Sequence, residues 1–400
     1  MSRLRGIDAL SALREELFRF RFTSPLVVVP EAGPKKSIHY YLYGRELSWG
    51  AMRLDSNGVP RLWQRTTGRV YNPAYIASYG LTNLGHYLRL GDRIFLDIFL
   101  RQVEWLEQHA VVRPDRAVVW LNNYDYREGS VLLKGPWVSA NVQGFVISAL
   151  VRGWRVTRRP HLIELLKNSA SIFDQDVSQN GVRVEMEGRA TYSEKPGLPA
   201  PGIMDGYMRS LLGLYDLFVE TEDVAVKRLF DEGIEGLKHT LSWWDYRRKW
   251  SWYGNHNYLS PPPYHCLNHL LLTVLARLTG EATLSECAKA WNPHNLSQSE
   301  RMEIYFGCLI TKNACRLKHR TWKDSISDSS TGVADTLPTS SELAIGEWTE
   351  ERRVQVLTLA KLGWSNKRIT RATSVPLKLV RAHLTSCSKV HLNRDVRPPR

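Results

Sequence analysis

The densest group of side chains able to do chemistry lies at residues 250–270. It gathers Trp250, Trp252, Tyr253, Tyr258 and Tyr264 with Asn255, Asn257 and Asn268 and with His256, His265 and His269, around the prolines 261–263. Prolines bar regular structure in the first half, so these groups are presented on a loop and at a helix start. Many active sites place their side chains on a loop held by a rigid scaffold. The competing reading is an aromatic surface loop with capping histidines. His265 and His269 stand one helical turn apart, but the carboxylate context of a metalloprotease helix is missing. The five cysteines have no CxxC spacing, which supports neither a disulfide framework nor a zinc site. No metal and no other cofactor is expected.

The elements that must position this stretch repeat along the chain. From Pro73 the pattern is helical, with first helices expected over 73–90, 140–157, 204–220 and 265–278. Each is followed by a short polar turn and a second, amphipathic helix, over 94–109, 161–173, 224–244 and 283–291. The turn position recurs at Gly91, Arg158, Glu222 and Gly280, in steps of 67, 64 and 58 residues. A fixed period of this kind signals a solenoid or a closed ring of helical hairpins. The first helices carry small and polar residues on an apolar frame, as an inner ring lining a cavity requires. The second helices carry ordinary apolar stripes with charged outer faces. The expected fold is therefore mainly α, an (α/α) toroid at 71–322, and the alternative is a repeat scaffold for protein binding. The long loops 111–138, 174–201 and 245–263 follow the second helices, so they gather at one end, where a cleft would be built.

Outside the repeats, residues 1–70 read as an amphipathic helix near 7–20 and a small β-hairpin region with a turn at 55–58. The hydrophobic fraction is 43%, enough for a core, and no run of about 18 apolar residues marks a membrane span. No secretory signal is visible, so the expected location is cytoplasmic with no membrane partner; a homodimer is one assembly left open. The net charge of +14 is uneven: residues 346–400 hold 12 Lys/Arg and 4 Asp/Glu, or +8, leaving +6 for the rest. A Ser/Thr/Asp-rich stretch at 323–346 reads as a flexible linker. Beyond it, 347–386 reads as three short helices resembling a helix-turn-helix module, with Ile369, Val375 and Val380 as core, and 387–400 as a basic tail. The third helix carries Lys378, Arg381 and His383, suited to a DNA major groove; the alternative is a basic bundle that packs on a partner.

Five motifs, taken in order, resemble the C-terminal catalytic domain of the D-glucuronyl C5-epimerase family. They are residues 71–80 (YNPAYIASYG), 136–144 (PWVSANVQG), 192–196 (YSEKP), 205–216 (DGYMRSLLGLYD) and the pair Tyr264-His265, within about 71–320. The resemblance implies an α/α toroid and the conversion of D-glucuronate to L-iduronate within a heparosan or heparan-sulfate-like chain. The family's proposed catalytic groups are a Glu-Tyr pair before a proline and two later tyrosines. Glu194 matches the glutamate, Lys195 stands where the family usually has tyrosine, and the later tyrosines map to Tyr253 and Tyr264.

Epimerisation removes a proton α to a carboxylate and returns one from the opposite face. It needs a base on one side, an acid on the other, and a cation to neutralise the carboxylate. Glu194 and Lys195 form one candidate set; Tyr253 and Tyr264 form the other. A tyrosine is a poor base unless nearby positive charge from Lys195 or His265 lowers its pKa, and Lys195 is itself an alternative base. Arg209 is the candidate for the uronate carboxylate, with pairing to Asp205 or Asp216 as its structural alternative. Tyr79, Trp137, Asn141, Gln143, Tyr207, His265 and Asn268 complete the expected sugar-contacting set. The same carbanion can expel the C4 substituent, so a uronate lyase is the enzymatic alternative. A non-catalytic carbohydrate- or DNA-binding regulatory protein is the other.

Overall fold

In the computed structural model, residues 26–28, 41–43, 52–64, 67–128, 131–197, 199–254, 258–318, 366–373 and 375–392 are described, with four single positions between 353 and 360. The helix expected near 7–20 and the linker 323–346 lie outside them. What is described is mainly helical.

Four helical hairpins dominate. They are α1 (Pro73–Leu90) with α2 (Arg93–Gln108), α3 (Ala140–Thr157) with α4 (Pro160–Lys167), α5 (Met204–Thr221) with α6 (Val224–Trp244), and α7 (Pro262–Thr279) with α8 (Ala282–Ala290). Each first helix ends on a left-handed residue: Gly91, Arg158, Glu222 and Gly280, with φ of 69°, 54°, 55° and 74°. These are the four turn positions marked by the sequence repeat. In every case the cap N–H donates four residues back, to Tyr87, Trp154, Phe218 and Ala276, and satisfies an end carbonyl. Arg158 and Glu222 accept a conformation disfavoured for residues with a Cβ, at about 1–2 kcal/mol each. The shared turn geometry evidently outweighs that cost.

The helix α4 stops at Lys167 rather than continuing to Phe173. Asn168 gives its carbonyl to Val118 N–H, and Ser169 turns its hydroxyl back to the Leu166 carbonyl at 2.7 Å. Short polar side chains compete with the helix in this way, and residues 171–174 continue as a 3₁₀ turn.

The first helices pack on one another in chain order, α1 on α3, α3 on α5 and α5 on α7. The α3–α5 approach is the tightest. A Cβ on Gly213 would sit 2.5 Å from Gly144 Cα, and one on Gly144 would sit 2.5 Å from Ser210 Cα. Only glycine lets the two backbones meet. One continuous core joins all four hairpins, from Ile76 and Phe99 to Leu275 and Trp291.

The loops after the second helices are not irregular, as the sequence suggested. Each holds antiparallel hairpins. After α2 come β6 (Val111–Val112) with β7 (Val118–Val119) and β8 (Tyr126–Glu128) with β9 (Val131–Leu133). After α4 comes β10 (Arg183–Met186) with β11 (Arg189–Tyr192), and after α6 comes β12 (Asp245–Tyr246) with β13 (Trp250–Ser251). Ahead of the helices, β1 (Leu26–Val28) pairs with β2 (Tyr41–Tyr43), and β3 (Met52–Leu54), β4 (Pro60–Gln64) and β5 (Gly68–Val70) form a meander. The β3–β4 turn is the one expected at 55–58: Asp55 Oδ1 accepts from Asn57 and Val59 N–H, and Gly58 has φ 74°.

Helix α9 (Gln298–Lys318) closes over the β13 loop, packing Ile304 and Cys308 on Trp250 and Leu259. Farther on, α10 (Asn366–Thr373) and α11 (Leu377–Leu392) share a separate small core of Val356, Ile369, Val375 and Val380. The last helix continues past residue 386, the expected end of the module, into what the sequence suggested was tail. Among the described residues, no helix is long and apolar enough to cross a membrane.

Candidate functional site

A cavity of about 170 Å³ opens at the loop end of the hairpins. Every first helix reaches it: Tyr75 and Ser78 from α1, Asn141 and Phe145 from α3, Asp205 and Arg209 from α5, Tyr264 and Leu267 from α7. The loops add Tyr124, Tyr126, Trp137, Glu194, Lys195 and Tyr253, and β4 adds Leu62 and Gln64. Glu194, Lys195, Tyr253 and Tyr264, which come from two distant segments, thus share one cavity.

The Glu194 side is held from below. The β10–β11 hairpin is anchored by Tyr192, whose hydroxyl donates to the Leu229 carbonyl on α6 at 2.6 Å. Ser193 carbonyl accepts from Ala140 N–H and so ties the loop to the start of α3. Glu194 then lies on Gly206, where a Cβ would come within 2.1 Å of Glu194 Oε2. The glycine makes room for the carboxylate. Lys195 Nζ donates to Glu194 Oε1 at 2.7 Å, with the side chains 13% and 12% exposed. The same ammonium stands 4.4 Å from the centre of the Tyr126 ring and 5.9 Å from that of Trp137. Each of these contacts is one that attracts a cation.

The tyrosine side is held by buried polar groups. Ser251 N–H donates to His265 Nδ1 at 3.1 Å, so Nδ1 is the acceptor and Nε2 carries the proton, donated to the Trp291 carbonyl at 2.9 Å. Asn268 Nδ2 donates to Ser251 Oγ at 3.3 Å. His265 is stacked on Trp250 at 3.6 Å, and burial pushes its pKa down to about 3. It is therefore neutral and supplies no positive charge to a tyrosine, contrary to the role the sequence left open for it. Tyr253 meets Tyr264 edge to face at 5.4 Å. Burial, aided by Tyr75, Asp205 and Glu194, raises the pKa of Tyr264 despite Lys195. The residue keeps 42% of its surface open. Burial also raises the pKa of Tyr75 and pushes that of Tyr124 up to about 12. These phenols hold their protons, which suits them to donate rather than to accept.

Among the described residues, Arg209 makes no hydrogen bond or ion pair. It is 6% exposed, its guanidinium lies 4.5 Å over the Phe145 ring, and its Nε is buried with no hydrogen bond among the described residues. Asp216 is not available to it, being paired with Arg152 at 2.5 Å. Asp205 lies one helical turn away; burial first, then the Glu194 carboxylate, push its pKa up to about 6 against the pull of Arg209 and Lys195. Two more polar atoms at the cavity are orphaned, Asn122 Nδ2 and Asn141 Oδ1. Buried polar groups are ordinarily paired, and these three line one cavity, where they have hydrogen-bonding capacity to offer.

Trp137, Asn141 and Arg209 line the cavity as the sequence suggested, but five expected sugar contacts do not. Gln143 donates to the carbonyls of Val118 and Ser169 at 2.6 and 2.8 Å, and Tyr207 donates to the Gly233 carbonyl at 2.5 Å. Tyr79 packs against Ile98 and Leu54. His265 and Asn268 brace Ser251, and so the loop that carries Tyr253. The prediction missed Tyr75, Asn122, Tyr124, Tyr126 and Asp205. Tyr75 and Asp205 sit inside quoted motifs. Asn72 gives a further clue, capping α1 through Oδ1 while donating from Nδ2 to the Tyr124 hydroxyl at 2.6 Å.

Residues 114–293 match the family described as the D-glucuronyl C5-epimerase C-terminus. The D-glucuronyl C5-epimerase of Caenorhabditis elegans is 27% identical over 182 residues, covering 41% of this chain and 30% of the relative. The chain thus spans under a third of the length of that curated relative.

Proposed function

We propose that residues 114–293, which belong to the D-glucuronyl C5-epimerase family, form the core of an enzyme that inverts C5 of a D-glucuronate unit within a heparosan-like chain. The observation that carries this reading is the meeting of Glu194/Lys195 and Tyr253/Tyr264 in one cavity with the unpartnered guanidinium of Arg209. In this reading the hairpins are the wall of an (α/α) toroid and the cavity is its mouth.

The C5 proton is made acidic by neutralising the neighbouring carboxylate. Arg209 is placed to do this with a two-pronged hydrogen bond, and its Nε is already desolvated. Glu194 takes the C5 proton. Lys195, drawn to Glu194 in the resting site, is released toward the developing enediolate charge as Glu194 becomes neutral. Tyr264, with its raised pKa, returns a proton to C5 from the other face, and Tyr253 buttresses it. This assigns Lys195 a charge-balancing role at a position where the family usually has tyrosine, and keeps the acid on the tyrosine side. Asn122 Nδ2 and Asn141 Oδ1 fit sugar hydroxyls.

The test is to incubate the full chain with heparosan in deuterated water and follow C5 deuteration and iduronate by NMR. Deuterated iduronate is expected. Unsaturated ends without iduronate would select elimination, the lyase outcome of the same carbanion. Neither product would leave the site without its proposed chemistry.

A second reading concerns the C-terminal helices, which have a core of their own and expose Lys378 and Arg381 on α11. We assign them duplex DNA binding of the helix-turn-helix kind through those two residues. His383 is not part of it, since its Nε2 is bonded to the Arg353 carbonyl at 3.1 Å. Lys378→Glu with Arg381→Glu should abolish salt-sensitive retention of DNA; unchanged retention refutes the assignment.

A further inference from the structure

The β3–β5 sheet has two faces with different work. Leu62 and Gln64 of β4 face the cavity. Strand alternation then puts Arg61 and Trp63 on the opposite face. The register sets Arg53 directly across from Arg61, and Arg69 across from Trp63. Three arginines and a tryptophan therefore share the face turned away from the cavity. Tyr71, just beyond β5, joins them: the Arg61 guanidinium is 6.0 Å from its ring centre, and the Arg69 guanidinium is 5.6 Å from that of Trp63.

Like charges set opposite one another weaken a strand pair, and among the described residues a single carboxylate, Asp55, stands near the three guanidiniums. Among the described residues none of the three guanidiniums makes a hydrogen bond or ion pair. Arg61 Nε and Arg69 Nη1 are buried without a partner. The carboxylate at this face is Asp55, already engaged by the Tyr71 hydroxyl at 2.7 Å and by the Asn57 and Val59 amides. Burial, with Arg53 and Arg61 behind it, lowers the pKa of Arg69, the mark of a crowded positive cluster. Meanwhile Trp63 and Tyr71 leave 46% and 39% of their surfaces open. At the sheet edge α10 approaches β3 and carries the exposed Lys367. Half-buried cations that outnumber the carboxylate beside them, interleaved with open aromatic rings, make a surface suited to an anionic polymer with flat apolar faces.

We propose that this arginine face is a second subsite for the acidic polysaccharide, holding units of the chain outside the cavity. Its arginines take anionic groups of successive units while Trp63 covers a sugar face. The inference rests on the uronate reading of the cavity, because one sheet presents both surfaces to one polymer. It predicts that affinity grows with chain length.

Titration calorimetry on the full chain tests it, with a heparosan tetrasaccharide, a heparosan dodecasaccharide, its N-sulfated counterpart and a DNA duplex as probes. The dodecasaccharide should bind at least about tenfold more tightly than the tetrasaccharide. The triple variant Arg53→Ala/Arg61→Ala/Arg69→Ala should lose that advantage, about 10–100-fold, and keep tetrasaccharide affinity. A variant that stays folded by design is Arg53→Glu, which sets an opposite charge across from Arg61; it should raise Tm and still lose the length dependence. If only the N-sulfated chain shows the advantage, sulfates rather than carboxylates occupy the arginines, still within the proposal. Length-independent binding, unchanged affinity in both variants, or arginine-dependent binding of DNA alone would overturn it. Arginine-dependent length preference in a protein that neither exchanges nor cleaves heparosan would keep this subsite and sink the epimerase reading, so the two failures are distinct.

Discussion

The helices α3 and α5 carry two buried arginines at their contact, and the two are treated in opposite ways. Toward the turn end, Arg152 of α3 donates to Asp216 of α5 and to the Ser148 carbonyl, at 2.5 and 2.9 Å. Seven residues earlier on each helix, the partners are Phe145 and Arg209, and Arg209 has a ring beneath it and an orphaned Nε. A charge taken out of water costs several kcal/mol unless its partners are in place. Arg152 has them within the fold. Among the described residues Arg209 does not, and it lines the cavity. One arginine is paired across the two helices; the other, in the proposed reaction, meets the substrate carboxylate.

The comparison breaks if the two arginines respond alike. Arg152→Met leaves Asp216 buried and alone, so the largest loss is expected there, about 3–5 kcal/mol by denaturant unfolding. Fold rather than site should suffer. Arg209→Met should do the reverse: unfolding changes little, while kcat for C5 exchange falls about 10²–10³-fold, as when one charge-stabilising donor is removed. Equal destabilisation by both variants would mean that Arg209 is structural after all.

Smaller effects sharpen the picture around Arg209. Gly206→Ala drives a methyl into the Glu194 carboxylate and should cost about 1–3 kcal/mol of stability, with a larger fractional loss of activity. Asp205 gives a pH signature. Its carboxyl holds a proton up to about 6 in the fold but only to about 4 when unfolded. The folded state binds more protons in that window, so stability falls as pH rises from about 4 to 6, and the deficit is complete above it. Asp205→Asn should flatten that slope and gain on the order of 1–2 kcal/mol at pH 7. A slope that survives in the variant would place the titration on another group.

Much of the scaffold was legible in the sequence. The recurring turn at Gly91, Arg158, Glu222 and Gly280 gave the hairpin period, and all four positions are left-handed caps. That is local chemistry: a helix end needs its carbonyls satisfied, and the chain shows where. The convergence of Glu194, Lys195, Tyr253 and Tyr264 was foreseen from motif order. The roles of polar residues on the first helices were read less well. Gln143 and Tyr207 look like ligand-binding groups by type, yet their donors are spent on backbone carbonyls, and Asn268, whose Nδ2 goes to Ser251, does not line the cavity. Side-chain type does not tell which way a donor turns on a helix buried on several sides. The hairpins inside the loops were missed because strands of two to four residues leave too short a pattern.

The sequence alone determined the hairpin array and the turn conformations, because caps, periodicity and glycine placement act over a few residues. Only the tertiary structure decided which polar groups are spent and which are left over. Arg152 and Arg209 are alike as residues on neighbouring buried helices. Their difference comes from Asp216 and Phe145, contributed by the facing helix in each case, and such a pairing exists only after the helices have packed.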